Sequence, residues 1–211
     1  MHEKRKILTV DLNCDMGEGI GNDADIMPFI SSANIPCGYH AGDEETMKQT
    51  IELCLKHNVA IGAHPSFLDR ENFGRNEQNL EPAKIYELVL KQISVLDKIS
   101  KANGATLHHV KPHGALYNLA AKNAAIANAI ALAVKEANEK LALYGLSGSK
   151  SIEEAKKAGL QTASEVFADR TYQDDGSLTS RKQAGALVED VNRSVEQALE
   201  IIIEGTVTSM R

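Results

Sequence analysis

No stretch of this sequence approaches the roughly 20 consecutive apolar residues needed to cross a bilayer, and the opening MHEKRK is too short and polar for a secretory leader. Neither a membrane-spanning nor an exported chain is expected. Cysteine is scarce. Cys14, Cys37 and Cys54 are odd in number and lack zinc-finger spacing, which argues against a disulfide framework and for a reducing cytoplasm. Positive charge does not dominate: a formal net charge of −6 speaks against a general nucleic-acid or anionic-membrane surface. The glycines of GEGIGN, residues 17–22, have neither the context of a dinucleotide fingerprint nor the Lys-Ser/Thr ending of a phosphate loop. No low-complexity linker or internal repeat divides the chain, and 211 residues suit one α/β domain spanning 1–211.

Short β-type runs alternate with longer runs of helical period, the pattern of parallel strands joined by helical crossovers. The strands are expected at 7–13, 34–37, 59–63, 106–111, 141–145 and 161–167. Helices are expected at 82–103, 123–138, 150–158 and 186–204, and another after Asp43, its N-cap, with Met47, Ile51, Cys54 and Leu55 on one face. Pro82 falls where a helix tolerates it, in the first turn. The long connection 64–81 is the length that often carries function in a compact α/β domain.

The segment VDLNCDMGEG, residues 10–19, sets Asp11, Asn13 and Asp15 at every second position. Alternate side chains of a strand point to opposite faces, so Leu8, Val10, Leu12, Cys14 and Met16 form one set and Thr9, Asp11, Asn13 and Asp15 the other. In a β/α barrel the apolar set would meet the helices and the polar set would point inward at the carboxyl end, where such folds build active sites. A doubly wound open sheet also binds ligands at its carboxyl ends.

Four more strand ends carry reactive side chains: His40 and Asp43; His64; His109, Lys111 and His113; Glu165, Asp169 and Arg170. Five such ends in parallel-strand order point to a site. Asp11 and Asp15 suit a paired acid/base system with separated pKa values. Asp15, His64 and His113 equally suit a divalent metal, an N/O set acceptable to zinc. A polar cluster held by its own hydrogen bonds is the plainer alternative. Lys111 shares an alternating face with His109 and His113, as a cation that neutralises a carboxylate or stabilises an oxyanion. Cys14 and Cys37 have no activating base in view, so thiol chemistry is not expected.

The stretches DLNCDMGEG, SSANIPCGYHAGD, GAHPSFLDRENFGR, HVKPHGALYN and EVFADRTYQDDGSLTSR resemble the LamB/YcsF family, in unbroken order from about residue 7 to residue 205. The resemblance implies a seven-stranded (β/α) barrel of the glycoside hydrolase/deacetylase type. It also implies ATP-dependent opening of 5-oxoproline (pyroglutamate) to glutamate with 5-oxoprolinase subunits B and C as partners. Carried over by position, it brings in Asp11, Asn13, Asp15, Lys111, His113 and Glu165 for catalysis, and Glu18, His40, Asp43, Arg75, Asp169, Arg170 and Arg181 for substrate binding. The alternatives are a deacetylase acting on N-acetyl sugars, suggested by the same barrel type, and a non-catalytic ligand-binding or scaffold subunit.

One departure stands out. Family members continue past the helix matching 186–204 into a strand with a His-Gly-Asp segment and a final helix, whereas this sequence ends at EGTVTSMR. The seventh strand is therefore expected to be missing. That would leave strand one with an open edge, compatible with a homo-oligomer.

Overall fold

A computed structural model describes residues 9–209. Six parallel strands run in the order of the sequence: β1 (Asn13–Asp15), β2 (Ser32–Pro36), β3 (Ala60–His64), β4 (Leu107–Val110), β5 (Ala142–Leu146) and β6 (Gln161–Glu165). Seven helices accompany them: α1 (Asp23–Ile26), α2 (Glu44–His57), α3 (Pro82–Ala102), α4 (Gly114–Lys122), α5 (Ala124–Ala137), α6 (Lys150–Lys157) and α7 (Val191–Glu204). Among the described residues no helix is long and apolar enough to cross a membrane.

Alternation within the strands decides which face is which. Ala33, Ile35, Ile61, Ala63, Val110 and Leu143 are buried with Met47, Ile51 and Cys54 of α2, Ile85, Val89, Ile93 and Leu96 of α3, and Ile130 and Val134 of α5. Each large aliphatic side chain so buried contributes about 1.5–3 kcal/mol. The opposite face carries Asn13, Asp15, Asn34, His109 and Tyr144, joined by hydrogen bonds and by stacking of the last two rings at 4.1 Å between centroids. On β2 to β5 the apolar side chains meet the helices and the polar ones look inward, the arrangement of a barrel wall.

The sheet is strongly curled. In a flat sheet six strands wide, the first and last strands lie about 24 Å apart. Here a single ammonium, Lys111 just beyond β4, reaches Asp15 at the end of β1 and Glu165 at the end of β6. The result is a six-stranded half-barrel. β1 pairs only with β2 and β6 only with β5, and a seventh strand does not occur among the described residues.

Several boundaries differ from the sequence expectation. The first strand is not 7–13 but the three residues Asn13–Asp15. Its partner begins at Ser32, opposite Asn13, so no ladder continues upstream. Leu12 is instead held by the Ser31 hydroxyl and amide, and Val10 and Leu12 are more than half exposed rather than packed on a helix. Residues 7 and 8 of that expectation lie outside the described residues. Leu55 is also exposed. Helix α4 was not anticipated; it is a nine-residue segment separated from α5 by Asn123, whose side chain caps α5 through the amides of Ala125 and Ile126. α7 starts at 191 rather than 186, because the preceding residues pair with another loop: Ala186 and Val188 bond the backbone of Thr171 and Asp169.

Gly62 of β3 shows how tightly the interior is filled. A Cβ there would fall 2.0 Å from Nε2 of His109, whose ring lies across the sheet. Gly62→Ala should therefore cost about 1–3 kcal/mol, read as a lower Tm. The same substitution in a His109→Ala background should cost clearly less, and equal costs in the two backgrounds would disprove the clash.

Candidate active site

The charged part of the site is organised around one cation. Nζ of Lys111 lies 2.7 Å from Oε1 of Glu165, 3.0 Å from Oδ1 of Asn13 and 3.4 Å from Oδ1 of Asp15. Three acceptors occupy its three N–H groups, so it holds carboxylates in place rather than offering a free donor. Both Lys111 and Glu165 are buried, and the two carboxylates push the ammonium's pKa upward against burial. Asn34 of β2 completes the arrangement: its Nδ2 donates to Asn13 Oδ1 at 2.8 Å and Asp15 Oδ1 at 2.9 Å, while its Oδ1 accepts from His109 Nε2 at 2.7 Å. Burial alone would raise Asp15, but His64 and Lys111 beside it outweigh that and hold the carboxyl well below its usual range. Asp15 is thus ionised at neutral pH, with Oδ2 turned 3.3 Å from His64 Nε2.

Beside it lie three imidazoles. The rings of His40 and His113 stack at 3.8 Å, nearly parallel, and His64 meets both edge-on. His113 Nδ1 lies 2.9 Å from His64 Nε2, and Glu18 Oε1 lies 3.3 Å from His40 Nε2 and 3.7 Å from His113 Nδ1. Burial, reinforced by His64, pushes His40 and His113 down to about 3, so both are neutral at pH 7. Burial, then the charge of Asp15, raises Glu18. One donor atom each from Glu18, His40, His64 and His113 falls within 4.8 Å of the others. The sequence triplet Asp15, His64 and His113 does come together, joined by Glu18 and His40.

Loops supply the support. His64 Nδ1 bonds the carbonyl of Lys111 at 2.6 Å, His113 Nε2 that of Phe73 at 2.9 Å, and His40 Nδ1 the hydroxyl of Ser66 at 2.8 Å. Gln92 of α3 clamps both backbone groups of Ser66. Phe73 has φ +55°, a left-handed conformation uncommon for an aromatic residue and typical of strain kept at functional sites; it aims its carbonyl at His113. Gly74 follows at φ +65°, where a Cβ would fall 2.9 Å from the His113 ring. Asn34, Ser66 and Gln92 were not anticipated. Asn34 alone had a legible clue, a polar residue inside a buried strand run.

A cavity of about 960 Å³ opens above this cluster, lined by Asp15, Glu18, His64, Lys111 and His113 at its floor and by Arg75, Arg170, Arg181 and Lys182 among its walls. The remaining expected residues lie elsewhere. Asp11 is four residues before Asp15, about 13 Å along an extended chain, accepting from the hydroxyls of Ser31 and Ser32 and not lining the cavity. Asp11 and Asp15 are therefore not a touching carboxylate pair. Asp43 caps α2 through Thr46, and Asp169 is exposed, outside the lining. Arg170 reaches the wall, but its donors bind the carbonyls of Ala186 and Thr179. Cys37 and Cys54 are buried thiols pushed up to about 12 by burial, fitting packing rather than chemistry.

A curled parallel sheet with ionisable groups gathered at the carboxyl ends of its strands has the arrangement of a β/α-barrel-like protein, the class that builds its sites at those ends. The chain belongs to the LamB/YcsF family, whose pattern it matches over residues 10–211. It is 55% identical over 207 residues to the 5-oxoprolinase A-subunit of Shouchella clausii, and 50% identical over 208 residues to that of Brevibacillus brevis. Each alignment covers 96% of this chain and 82% of the relative. The crystal structure of a lactam utilization protein from Thermus thermophilus superposes with a TM-score of 0.91 at 43% identity, covering 96% of this chain and 84% of that one.

The central cation gives a pH-dependent test. The stability that Asp15 contributes is complete above its unfolded pKa of about 3.9 and is lost as pH falls through the depressed folded value. Lys111→Met should cost about 3–5 kcal/mol at pH 7, by leaving buried carboxylate unpaired. Protonation relieves that burden, so the gap to wild type should narrow at pH 5. Denaturant titrations at both pH values check this; an unchanged gap would show that Lys111 does not govern the carboxylates.

Proposed function

We propose that this chain is the A component of an ATP-dependent 5-oxoprolinase, opening the lactam of 5-oxoproline to L-glutamate together with subunits B and C. Half or more of its residues are shared with proteins named as the A-subunit of 5-oxoprolinase. The observation that carries the chemistry is an ionised Asp15 at the floor of a cavity with arginine in its walls. A five-membered lactam is resonance-stabilised, and its hydrolysis needs both an activated water and a stabilised oxyanion.

Asp15 takes the proton from the attacking water through Oδ2, while Oδ1 is fixed by Asn34 and Lys111. Lys111, with Asn13 and Glu165, is the frame that keeps this base ionised and oriented. Arg75 and Arg181 in the walls suit the substrate's carboxylate. ATP enters with the partner subunits: phosphorylation of the lactam oxygen would release ADP, one water would add to the same carbon, the ring nitrogen would leave as the amine to give an acyl phosphate, and a second water would cleave that to the carboxylate and free phosphate. Glu18, His40, His64 and His113 fit a divalent cation as three imidazole nitrogens with one carboxylate; such an ion would polarise a carbonyl. The three cysteines are free, which suits a cytoplasmic reaction.

Reconstitution with subunits B and C tests the reading. Glutamate should be released from 5-oxoproline only with ATP, and Asp15→Asn should lower turnover by about 10²–10⁴-fold with an unchanged circular dichroism spectrum. Acetate release from chito-oligosaccharides instead would favour the deacetylase. Ligand binding without turnover in the complete complex would favour a scaffold role.

A further inference from the structure

The proton positions around the three imidazoles can be assigned from their partners. Backbone carbonyls only accept, so His64 Nδ1 and His113 Nε2 each carry a hydrogen, donated to Lys111 O and Phe73 O. The Ser66 hydroxyl spends its own hydrogen on Phe67 O, so it accepts from His40 Nδ1–H. The remaining nitrogens, His64 Nε2, His113 Nδ1 and His40 Nε2, are left facing the cluster. They point at one another and at Glu18: His64 Nε2 faces His113 Nδ1 at 2.9 Å, and His40 Nε2 faces Glu18 Oε1 at 3.3 Å.

Ring nitrogens and a carboxylate oxygen converging this closely make a place for one positive ion between them. A single ion serves all four groups. Asp15 and Glu165 pair with the ammonium of Lys111, while Glu18 faces His40 and His113. Donors bound at about 2.0–2.2 Å in a tetrahedron stand about 3.4 Å apart. The measured separations of 2.9, 3.3 and 3.7 Å bracket that value, with none of the four atoms more than 4.8 Å from another.

We infer that Glu18 Oε1, His40 Nε2, His64 Nε2 and His113 Nδ1 bind one borderline first-row divalent cation of the zinc or cobalt type. Three imidazoles and a carboxylate are the donors such ions prefer. Each ring's other nitrogen is tied to a fixed oxygen, the arrangement that orients histidine ligands in metal sites. The donor set differs from the sequence triplet in one respect: Asp15, held through Oδ1 by Asn34 and Lys111, borders the ion and remains a base rather than a ligand. What the ion does to a lactam rests on the function proposed above; its binding rests on ring geometry alone.

Protein stripped with chelator and titrated with Zn²⁺, and separately with Co²⁺, tests this by calorimetry, visible absorption and metal analysis. One ion should bind per chain, with Co²⁺ bands in the visible and a raised Tm. His40→Ala, His64→Ala and Glu18→Gln should each weaken binding by more than about 100-fold, and Ser66→Ala, which keeps every ligand, by about 10–100-fold. His108→Ala, on the exposed part of β4, should change nothing. If an alanine variant fails to fold by circular dichroism, Ser66→Ala and Glu18→Gln decide. Failure of the wild type to bind Zn²⁺ or Co²⁺ stoichiometrically, or equal affinity in wild type, Ser66→Ala and Glu18→Gln, would overturn the inference. Chelator-stripped protein that binds neither ion yet still releases glutamate would sink the ion while sparing the lactam reading. Stoichiometric metal without glutamate release would do the reverse.

Discussion

The contact on which this architecture turns is the ammonium of Lys111 set between Glu165 and Asp15. It joins the two outermost strands of a six-stranded sheet through the middle of the curl, so the tertiary shape and the ionisation state of the site are fixed by the same group. Buried ion pairs are weak evidence of stability by themselves, since desolvation offsets much of the attraction. Their value here lies in specificity. A flat or differently registered sheet would leave three ionisable groups stranded, and the cost of stranding them disfavours those alternatives.

Around that contact the site divides into two electrostatic regimes only a few ångströms apart. Asp15 is kept charged by Lys111 and His64 beside it, while His40 and His113 are kept uncharged by burial. Separation of protonation states between adjacent groups is how a fold assigns unlike roles to them at one pH. The charged half stands on strand ends; the neutral half leans on the loops after β3 and β4, where Ser66, Phe73 and Lys111 supply the fixed oxygens.

The sequence made the strand ends legible because parallel strands alternate in a way their residues display. Asn13, Asp15, His64, Lys111, His113 and Glu165 sit at such ends, and the structure brings them into one cluster. What period alone could not decide was depth. Asp11 has the same parity as Asp15 but precedes the first rung of the ladder, because a strand begins where its partner begins, and Ser32 lies opposite Asn13. Asp43 and Asp169 belong to stretches that match the family pattern, yet one caps a helix and the other faces solvent. Asn34, Ser66 and Gln92 escaped notice because their importance comes from partners distant in sequence: Gln92 meets Ser66 26 residues away and His109 meets Asn34 75 residues away. Helix α4 was hidden by its junction with α5, with Asn123 alone between them.

Two of the three oxygens that orient the imidazoles are main-chain carbonyls, those of Phe73 and Lys111. No change of side chain deletes a carbonyl. Apart from Gly74, whose added Cβ would meet the His113 ring, and Ser66, which holds His40, substitution along the 65–81 connection can accumulate with little effect on where His64 and His113 point, whereas insertion or loss of one residue there would turn the Phe73 carbonyl away. The segment is consequently constrained in its length and backbone path more than in its composition, and divergent descendants of this chain are expected to conserve its residue count before its residue identities.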